Sequence, residues 1–557
     1  MSQGGTVPIL VLKEGTGRST GREAQKNNIM AAKIVAETVK STLGPSGMDK
    51  MLVTSMGDVA ITNDGATIMK ELDVQHPAAK MLVEVAKAQD NEVGDGTTTA
   101  VVLAGELLSK AETLLDKNVH PTVIIEGFKK ASDKAQEILD ALGLPVKFED
   151  EKTLQDVALT SLSSKGISNA KDLFAKIAVD AVKQVSEKAN GGLKADIDLI
   201  KIVKKHGKSL EETELVKGMV IDKEVSNSQM PKLVDGAKIA LLNAKIEIEK
   251  TEFDAKINIE SPDQMKSFLD EEEHMLREMV NSVVTAGANV VFCEKGIDEM
   301  ALHFLGKAGV LAIKSVSSSD MEKLARATGG KILSNIKDLN AQALGQAKKV
   351  EEVKIGDDKL VYIRDCANPK AVTVVIRGGT DHVIDEAERS LHDALCVIRN
   401  VVEDGKIVAG GGSPEAELAK NLRAFAVKVG GREQLAVEAF AEAVESIPLT
   451  LAENAGLDPI DIMVALRAKH EEANSKTFGI DVTTGKIVDM CGLLILEPLR
   501  VKQQVVKSAT EATNMILKID DLISIKGTGG GAPPMPPGGM GGMGGMGGMP
   551  GMGGMPY

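Results

Sequence analysis

The chain is predicted to be a multidomain protein of mixed α+β and α/β class, and three observations predict it. At 557 residues, with 43% apolar and 26% charged side chains, it is a globular chain too long for one core, and about two to four domains are expected. Long amphipathic helical patterns fill both ends of the chain. Between them lies a stretch of different texture, where short apolar strands alternate with helices, the pattern of an α/β layer.

Taken in order, residues 1–20 are polar and glycine-rich, an arm with an edge strand expected at Val7–Leu12. Ile29, Ala32, Ile34, Val35, Thr38 and Val39 recur at helical spacing. That helix must stop at Leu43-Gly44-Pro45-Ser46-Gly47, because glycine and proline both break helices. The loop from Thr42 to Pro45 either ends the helix or also turns its amides toward a phosphate. Met51–Val53 and Val59–Thr62 read as a hairpin around Gly57-Asp58. It delivers Asn63-Asp64-Gly65-Ala66-Thr67, either a plain Asx turn or a carboxylate placed against a ligand. His76 and His120 each precede proline, so they start helices.

Val93-Gly94-Asp95-Gly96-Thr97-Thr98-Thr99 then runs into the apolar Ala100–Ala104. The threonines read as the first turn of a buried helix, whose unpaired N–H groups and positive dipole end attract anions. Gly94 and Gly96 permit close backbone approach, and three hydroxyls offer donors to phosphate. Asp95 would repel a bare phosphate unless a cation intervenes, and Mg²⁺ is the usual one. A magnesium nucleotide is one reading; a capped helix without ligand is the other.

From about 150 to 220 shorter, more charged helices are expected, with Thr160–Gly166 a polar loop whose Lys165 is either solvated or within reach of phosphate. Ala237–Leu242, Ala288–Cys293, Val310–Ile313 and Lys331–Leu333 read as strands, alternating with helices at Asp298–Lys307 and Asp320–Ala327, the latter capped by Asp320. Residues 251–283 are a charged excursion returning as a helix at Asp263–Val283. Its stripe of Met265, Phe268, Leu269, Met275, Leu276, Met279 and Val283 either faces a core or forms a methionine-bearing protrusion for other proteins.

Ala371–Ile376 is a strand, and the helix after it places Ile384, Ala387, Leu391, Ala394, Leu395 and Ile398 on one face, with Asp393 beside that stripe, where a solvated-face charge is the default reading of the local pattern alone. Lys406–Ala409 leads to Gly410-Gly411-Gly412-Ser413-Pro414-Glu415, a helix start with Ser413 as cap and proline in the first turn; its glycines are a second candidate phosphate-side or ribose-side loop. Short strands follow at Asp481-Val482, Lys486–Val488 and Leu493–Pro498, which holds Glu497. A last helix ends near Lys518, and Ile519–Ile525 is a terminal strand. From Gly527 the chain is Gly-Gly-Met repeats that cannot bury a core.

Composition excludes several functions. A net charge of −14 with 2% aromatic residues and no Trp argues against nucleic acid and anionic membranes. No signal-peptide apolar region and no membrane-length apolar run occur, so a cytoplasmic location is expected. Cys293, Cys366, Cys396 and Cys491 lack CxxC spacing, which fits a reducing compartment and offers no zinc site. Walker, Rossmann, kinase, zinc-protease and nucleophile-elbow motifs are all missing. Any nucleotide is held by another scheme.

Leu43–Lys50, Asn63–Ile68, Gly94–Thr99 and Val408–Gly412, in this order and with the flanking chain from residue 18 to the tail, resemble the group II chaperonins. The Gly-Gly-Met tail is also typical, and the charged excursion falls where group II members carry a built-in lid protrusion. The resemblance implies a mostly helical equatorial ATP-binding domain from residues 1–149 and 405–526. It implies a small intermediate domain from 150–217 and 374–404, and an inserted α/β apical domain at 218–373 with its helical protrusion at 245–283; residues 527–557 are a disordered tail.

The same resemblance assigns roles position by position. Thr42, Leu43, Gly44 and Pro45 line the nucleotide, with Asn63 beside them. Gly94, Asp95, Gly96, Thr97, Thr98 and Thr99 hold phosphates, and Asp95 holds Mg²⁺. Asp64 positions the attacking water, and Asp393 swings in as the second catalytic carboxylate. Lys165 senses the γ-phosphate, while Gly411, Gly412, Asp481 and Glu497 border base and ribose. Ser46 departs from the Lys or Arg usual in that loop. The implied cofactors are ATP/ADP and Mg²⁺. The implied partners are unfolded or partly folded proteins and self or sibling subunits in stacked double rings of roughly eight or nine. No separate co-chaperonin lid, nucleic acid or membrane is expected.

Overall fold

The structure is a computed structural model and describes residues 17–524 except 54–56, 58, 168–169, 190–191, 249–260 and 368. The expected strand at Val7–Leu12, the turn at Asp58, the first part of the charged excursion and the glycine-methionine tail lie outside the described residues.

Apolar burial falls into three large cores. The first draws on both ends of the chain, from Ile29 to Leu139 and from Val408 to Leu517. Its central element is the helix Thr97–Asp116, in which Ala100, Val101, Val102, Leu103 and Ala104 form an unbroken buried run. A helix apolar on all sides has to be surrounded. It packs against the helices Gly21–Lys40, Pro77–Val93, Gly431–Val444 and Leu499–Leu517. Gly105 permits the closest of these approaches, since a Cβ there would lie 2.3 Å from that of Ala36. The strand Gly17–Thr20 pairs antiparallel with Asp521–Ser524 and so ties the two ends of the described chain together.

The second core lies in the middle of the chain, around a seven-stranded mixed sheet. Leu311–Ile313, Val290–Cys293 and Leu233–Leu242 run parallel. Gly345–Ile355, Asp358–Arg364 and Gly218–Ile221 continue the sheet antiparallel. The sequence reading found the parallel part. It overlooked the long hairpin at 345–364, whose first strand interleaves charged and apolar residues and whose second holds only the short apolar run Leu360–Ile363.

The third core joins the helices Glu151–Leu162, Lys171–Val185 and Asp381–Asp404 to a three-stranded sheet. In that sheet Val372–Gly378 lies parallel to Ile200–His206 and antiparallel to Glu214–Val216. Here the expectation of helices up to residue 220 is corrected: the described residues from Ser186 to Ile221 form strands, with two short 3₁₀ turns and their connecting loops. β-Branched residues alternating with lysine in Ile200–His206 favour strand once one face meets the core.

Three further local readings change. The helix Ser318–Thr328 is capped by Ser317; Asp320 lies within its first turn and pairs with Lys201 Nζ at 2.5 Å. Ser413 is the first residue of its helix, and its hydroxyl donates to the carbonyl of Lys476 at 2.7 Å, leaving Gly412 as the cap. The strand expected at Leu493–Pro498 is confined to Leu496–Pro498. The helix Pro262–Thr285 divides its stripe between core and surface. Leu276, Val280 and Val283 are buried, whereas Met265, Phe268, Leu269 and Met275 are exposed.

Candidate nucleotide site

A cleft of about 750 Å³ opens against the first core. Leu43, Gly44, Pro45, Asp95, Gly96, Thr99, Gly411, Gly412, Asp481 and Glu497 line it, together with Ser46. Glycine is required at two of these places. Gly44 has φ +83, and a Cβ there would lie 2.5 Å from Leu451 Cδ2. Gly411 has φ +63, and a Cβ would lie 3.0 Å from the Ile480 carbonyl. Both loops therefore present bare backbone to the cleft. Asn454 holds the first loop by donating to the Lys40 and Leu43 carbonyls at 3.0 and 2.9 Å.

The helix Thr97–Asp116 begins at Gly96, in the left-handed region at φ +75, and no side chain caps it. Its first N–H groups thus stay available to an anion. Asp95 faces this turn and accepts from the Gly96 N–H at 2.6 Å and from Ser161 Oγ at 2.8 Å. Gly94, at φ +69, lies directly against Cys396 of the helix Asp381–Asp404, since a Cβ at Gly94 would come within 2.2 Å of that side chain.

Asp64 caps the helix Gly65–Glu71 and accepts from the Thr67 N–H at 2.8 Å and Thr67 Oγ1 at 2.7 Å. Thr97 Oγ1 reaches the same carboxylate at 3.3 Å, and Thr42 Oγ1 lies 3.5 Å from Thr98 Oγ1. Asn63 donates to the Ser164 carbonyl, while its own amide oxygen is buried without a partner among the described residues. Thr42, Asn63, Asp64, Thr97 and Thr98 are all buried.

Lys165 and Asp393 meet here from the third core, Nζ to Oδ2 at 2.6 Å, each side chain under a tenth exposed. The solvated-face reading of Asp393 is therefore overturned: the carboxylate points inward, to a lysine 228 positions earlier in the chain. Burial alone would lower the Lys165 pKa, but Asp393, Asp64 and Asp95 together raise it well above the ordinary lysine value. Burial raises Asp393 well above the ordinary carboxylate range; Lys165 opposes this, and Asp64 and Asp95 add to it. Burial also works to raise Asp64, but Lys165 and the hydrogen bonds from Thr67 and Ala66 outweigh it and leave its pKa lowered. Three carboxylates thus share one ammonium. The surplus of negative charge in so little water is the condition a divalent cation relieves.

At the other end, Asp481 accepts from the Thr483 N–H at 3.0 Å and from Thr484 Oγ1 at 2.6 Å. Glu497 pairs with Lys502 at 2.8 Å, and Lys502 also pairs with Glu415 at 2.9 Å.

Sequence reading missed several residues that hold these groups in place. Ser161, Glu415 and Lys502 are among them, as are Arg399 and Asn400, whose side chains donate to the Glu92 and Val93 carbonyls at 2.8 and 2.9 Å. Glu415 stood inside the quoted glycine stretch and gave a signal; an isolated Ser, Asn or Lys on a helix gives none.

Comparisons with known proteins point the same way. Residues 35–526 match the TCP-1/cpn60 chaperonin family. The chain is 58% identical over 518 residues to a thermosome subunit of Methanopyrus kandleri, covering 93% of this chain and 95% of that one. It is 56% identical over 528 residues to the thermosome subunit beta of Archaeoglobus fulgidus, covering 94% and 97%. The open-state monomer of a group II chaperonin from Methanococcoides burtonii is 45% identical, with a TM-score of 0.57 over 77% of this chain and all of that one. A helix start without a side-chain cap facing a glycine-walled cleft, acids gathered at its inner end and this likeness lead to one conclusion: the chain belongs to the TCP-1/cpn60 chaperonin family, as a group II, ATP-dependent chaperonin subunit.

Proposed function

We propose that this subunit hydrolyses Mg²⁺-ATP in the cleft and uses turnover to close a chamber around unfolded proteins. The observation that carries the reading is the meeting of Lys165 and Asp393, from the third core, with Asp64 and Asp95, from the first. The first core supports an equatorial domain at 1–149 and 405–526. The third supports an intermediate domain at 150–217 and 374–404, and the second an apical domain at 218–373.

In this reading the amides of the Gly44 and Gly96 turns and the hydroxyls of Thr97, Thr98 and Thr99 bind phosphate oxygens. Thr42, Leu43 and Pro45 wall the phosphate side; Gly411, Gly412, Asp481 and Glu497 border ribose and base. Among the described residues no cluster of three or more His, Cys, Asp or Glu is built to hold a metal. Mg²⁺ is accordingly assigned to Asp95 and to the phosphates themselves, the common arrangement for this ion, where it would neutralise charge on the transferred group. Asp64 and Asp393 orient a water toward the γ-phosphorus and accept its proton. Lys165 leaves Asp393 for the γ-phosphate when nucleotide enters. Because the two carboxylates ride on different cores, the competent geometry exists only when those cores approach, and ATP shifts the population toward that arrangement.

The exposed apolar half of the helix Pro262–Thr285 supports a lid protrusion. A chamber then requires self or sibling subunits in stacked double rings of roughly eight or nine, without a separate co-chaperonin lid. Unfolded chains are gripped through their exposed apolar surface, in the cytoplasm.

The test is ATP hydrolysis by the purified protein beside Asp393→Ala, with particle mass measured on the same samples. Magnesium-dependent turnover in a particle near a megadalton, lost in the variant while the particle persists, is the expected result. Equal and negligible turnover in two large particles would make the assembly a passive ring, and a turning-over monomer would remove the chamber.

A further inference from the structure

Of the buried cluster Lys502, Glu415 and Glu497, only Glu497 has a part in the reading above. Lys502 Nζ lies 2.8 Å from Glu497 Oε2 and 2.9 Å from Glu415 Oε1. The side chains of Lys502 and Glu415 are 10% and 6% exposed, and that of Glu497 is 26% exposed and reaches the cleft wall. Glu415 Oε2 has no hydrogen-bond partner among the described residues, so the charge of Glu415 rests on Lys502. The deeper acid therefore anchors the ammonium from behind, and the ammonium meets the shallower acid from the front. Burial raises the Glu497 pKa above its ordinary value; Lys502 opposes this, and Glu415 and Asp95 add to it. The three residues also sit on separate pieces of the wall. Glu415 is in the first turn of the helix after Gly412, Glu497 lies on a strand hydrogen-bonded to Lys406–Ala409, and Lys502 opens the last helix.

We propose that Lys502 is a positioning residue that holds Glu497 ionised and aimed into the cleft, and that it thereby sets the preference for a nucleotide with ribose hydroxyls. This rests on the reading of Glu497 as a ribose contact. A carboxylate accepts two hydroxyl donors well only when charged and fixed in place. Without its cation, Glu497 shares a buried site with Glu415 and either takes up a proton or turns away.

The experiment measures equilibrium binding of ADP and of 2′,3′-dideoxy-ADP to the assembled full-length protein, using wild type, Glu497→Gln, Lys502→Met and Glu415→Gln. Wild type should prefer ADP by about tenfold or more, since a site built around donors discriminates against an analogue that lacks them. In Lys502→Met the preference should fall to about twofold, mainly through weaker ADP binding. In Glu415→Gln it should stay or rise, because Lys502 then serves Glu497 alone. A merely structural cluster would lose binding alike in both variants and leave the ratio unmoved. An unchanged ratio in Lys502→Met, with the ratio lost in Glu497→Gln, overturns the role of Lys502. An unchanged ratio in Glu497→Gln overturns the ribose contact beneath it, and no ADP binding by wild type overturns the nucleotide reading. Should Lys502→Met fail to assemble, a collapse of the ratio in Glu415→Gln also overturns the proposal.

Discussion

The two ends of the cleft are built from the same parts and behave differently. Each has a buried lysine that faces more than one carboxylate: Lys165 with Asp393, Asp64 and Asp95, and Lys502 with Glu415 and Glu497. At the outer wall Lys502 and Glu415 both ride on helices of the first core, so their separation is set by its packing, and Glu497 reaches them from a strand whose Leu496 is buried in the third. At the inner end the lysine and one acid belong to the third core and the other two acids to the first. Their separations are set by a seam. Polar and packing contacts cross that seam, among them Asn400 on the Val93 carbonyl and Cys396 on Gly94, and a boundary between two cores opens more readily than the close-packed interior of one. Like charges are a frame where the core is continuous and a switch where it is divided.

The largest expected effect breaks the switch. Asp393→Ala should lower turnover by about 10²- to 10⁴-fold, the range for losing a positioned acid or base, without dissolving the particle. Next comes stability. Lys502→Met strands two carboxylates, Glu415 of them deeply buried, and should lower the unfolding free energy by about 3 kcal/mol. Lys165→Met should lower it by less, because the seam can part and admit water. Equal losses, read from the unfolding midpoints of the two variants, would erase the distinction between frame and switch.

The pH response separates two acids at the seam itself. The pKa of Asp64 is lowered, so its contribution is present above the ordinary carboxylate range and is lost as pH falls through its folded value. The pKa of Asp393 is raised well above that range, chiefly by burial, so only in the window between its unfolded and folded values does the native state hold a proton that the unfolded chain has released. Its contribution is therefore greatest at low pH and declines as pH rises toward the folded value. At neutral pH Asp64→Ala should lose about 1 kcal/mol, the usual cost of removing a helix cap, read from the unfolding midpoint. The smallest change is at Ser161. Its removal as Ala frees Asp95 of one neutral donor and should weaken magnesium-nucleotide binding by about fivefold, corresponding to roughly 1 kcal/mol; titration at fixed magnesium would measure it.

Much of this was legible in the chain. The breakers at Gly44-Pro45, the Gly94–Thr99 turn before an apolar helix and the Gly410–Pro414 start are local signals, and each is where a helix begins or ends in the structure. The strand Ile200–His206 was not legible, because lysines interleave its apolar residues and only pairing with Val372–Gly378 makes one face a core face. Nor was the environment of Asp393: next to an apolar stripe, a carboxylate reads as solvated until something is known of what covers it.

By itself, then, the sequence determined where many of the helices start and stop, which stretches are apolar enough to form cores, and which turns need glycine. These follow from backbone sterics and from the spacing of apolar residues along a few turns. Only the tertiary structure decided which lysine meets which acid across hundreds of residues and which of those meetings spans a seam. Charge pairing at a distance depends on burial and on the path of the chain through space, and no local pattern encodes either.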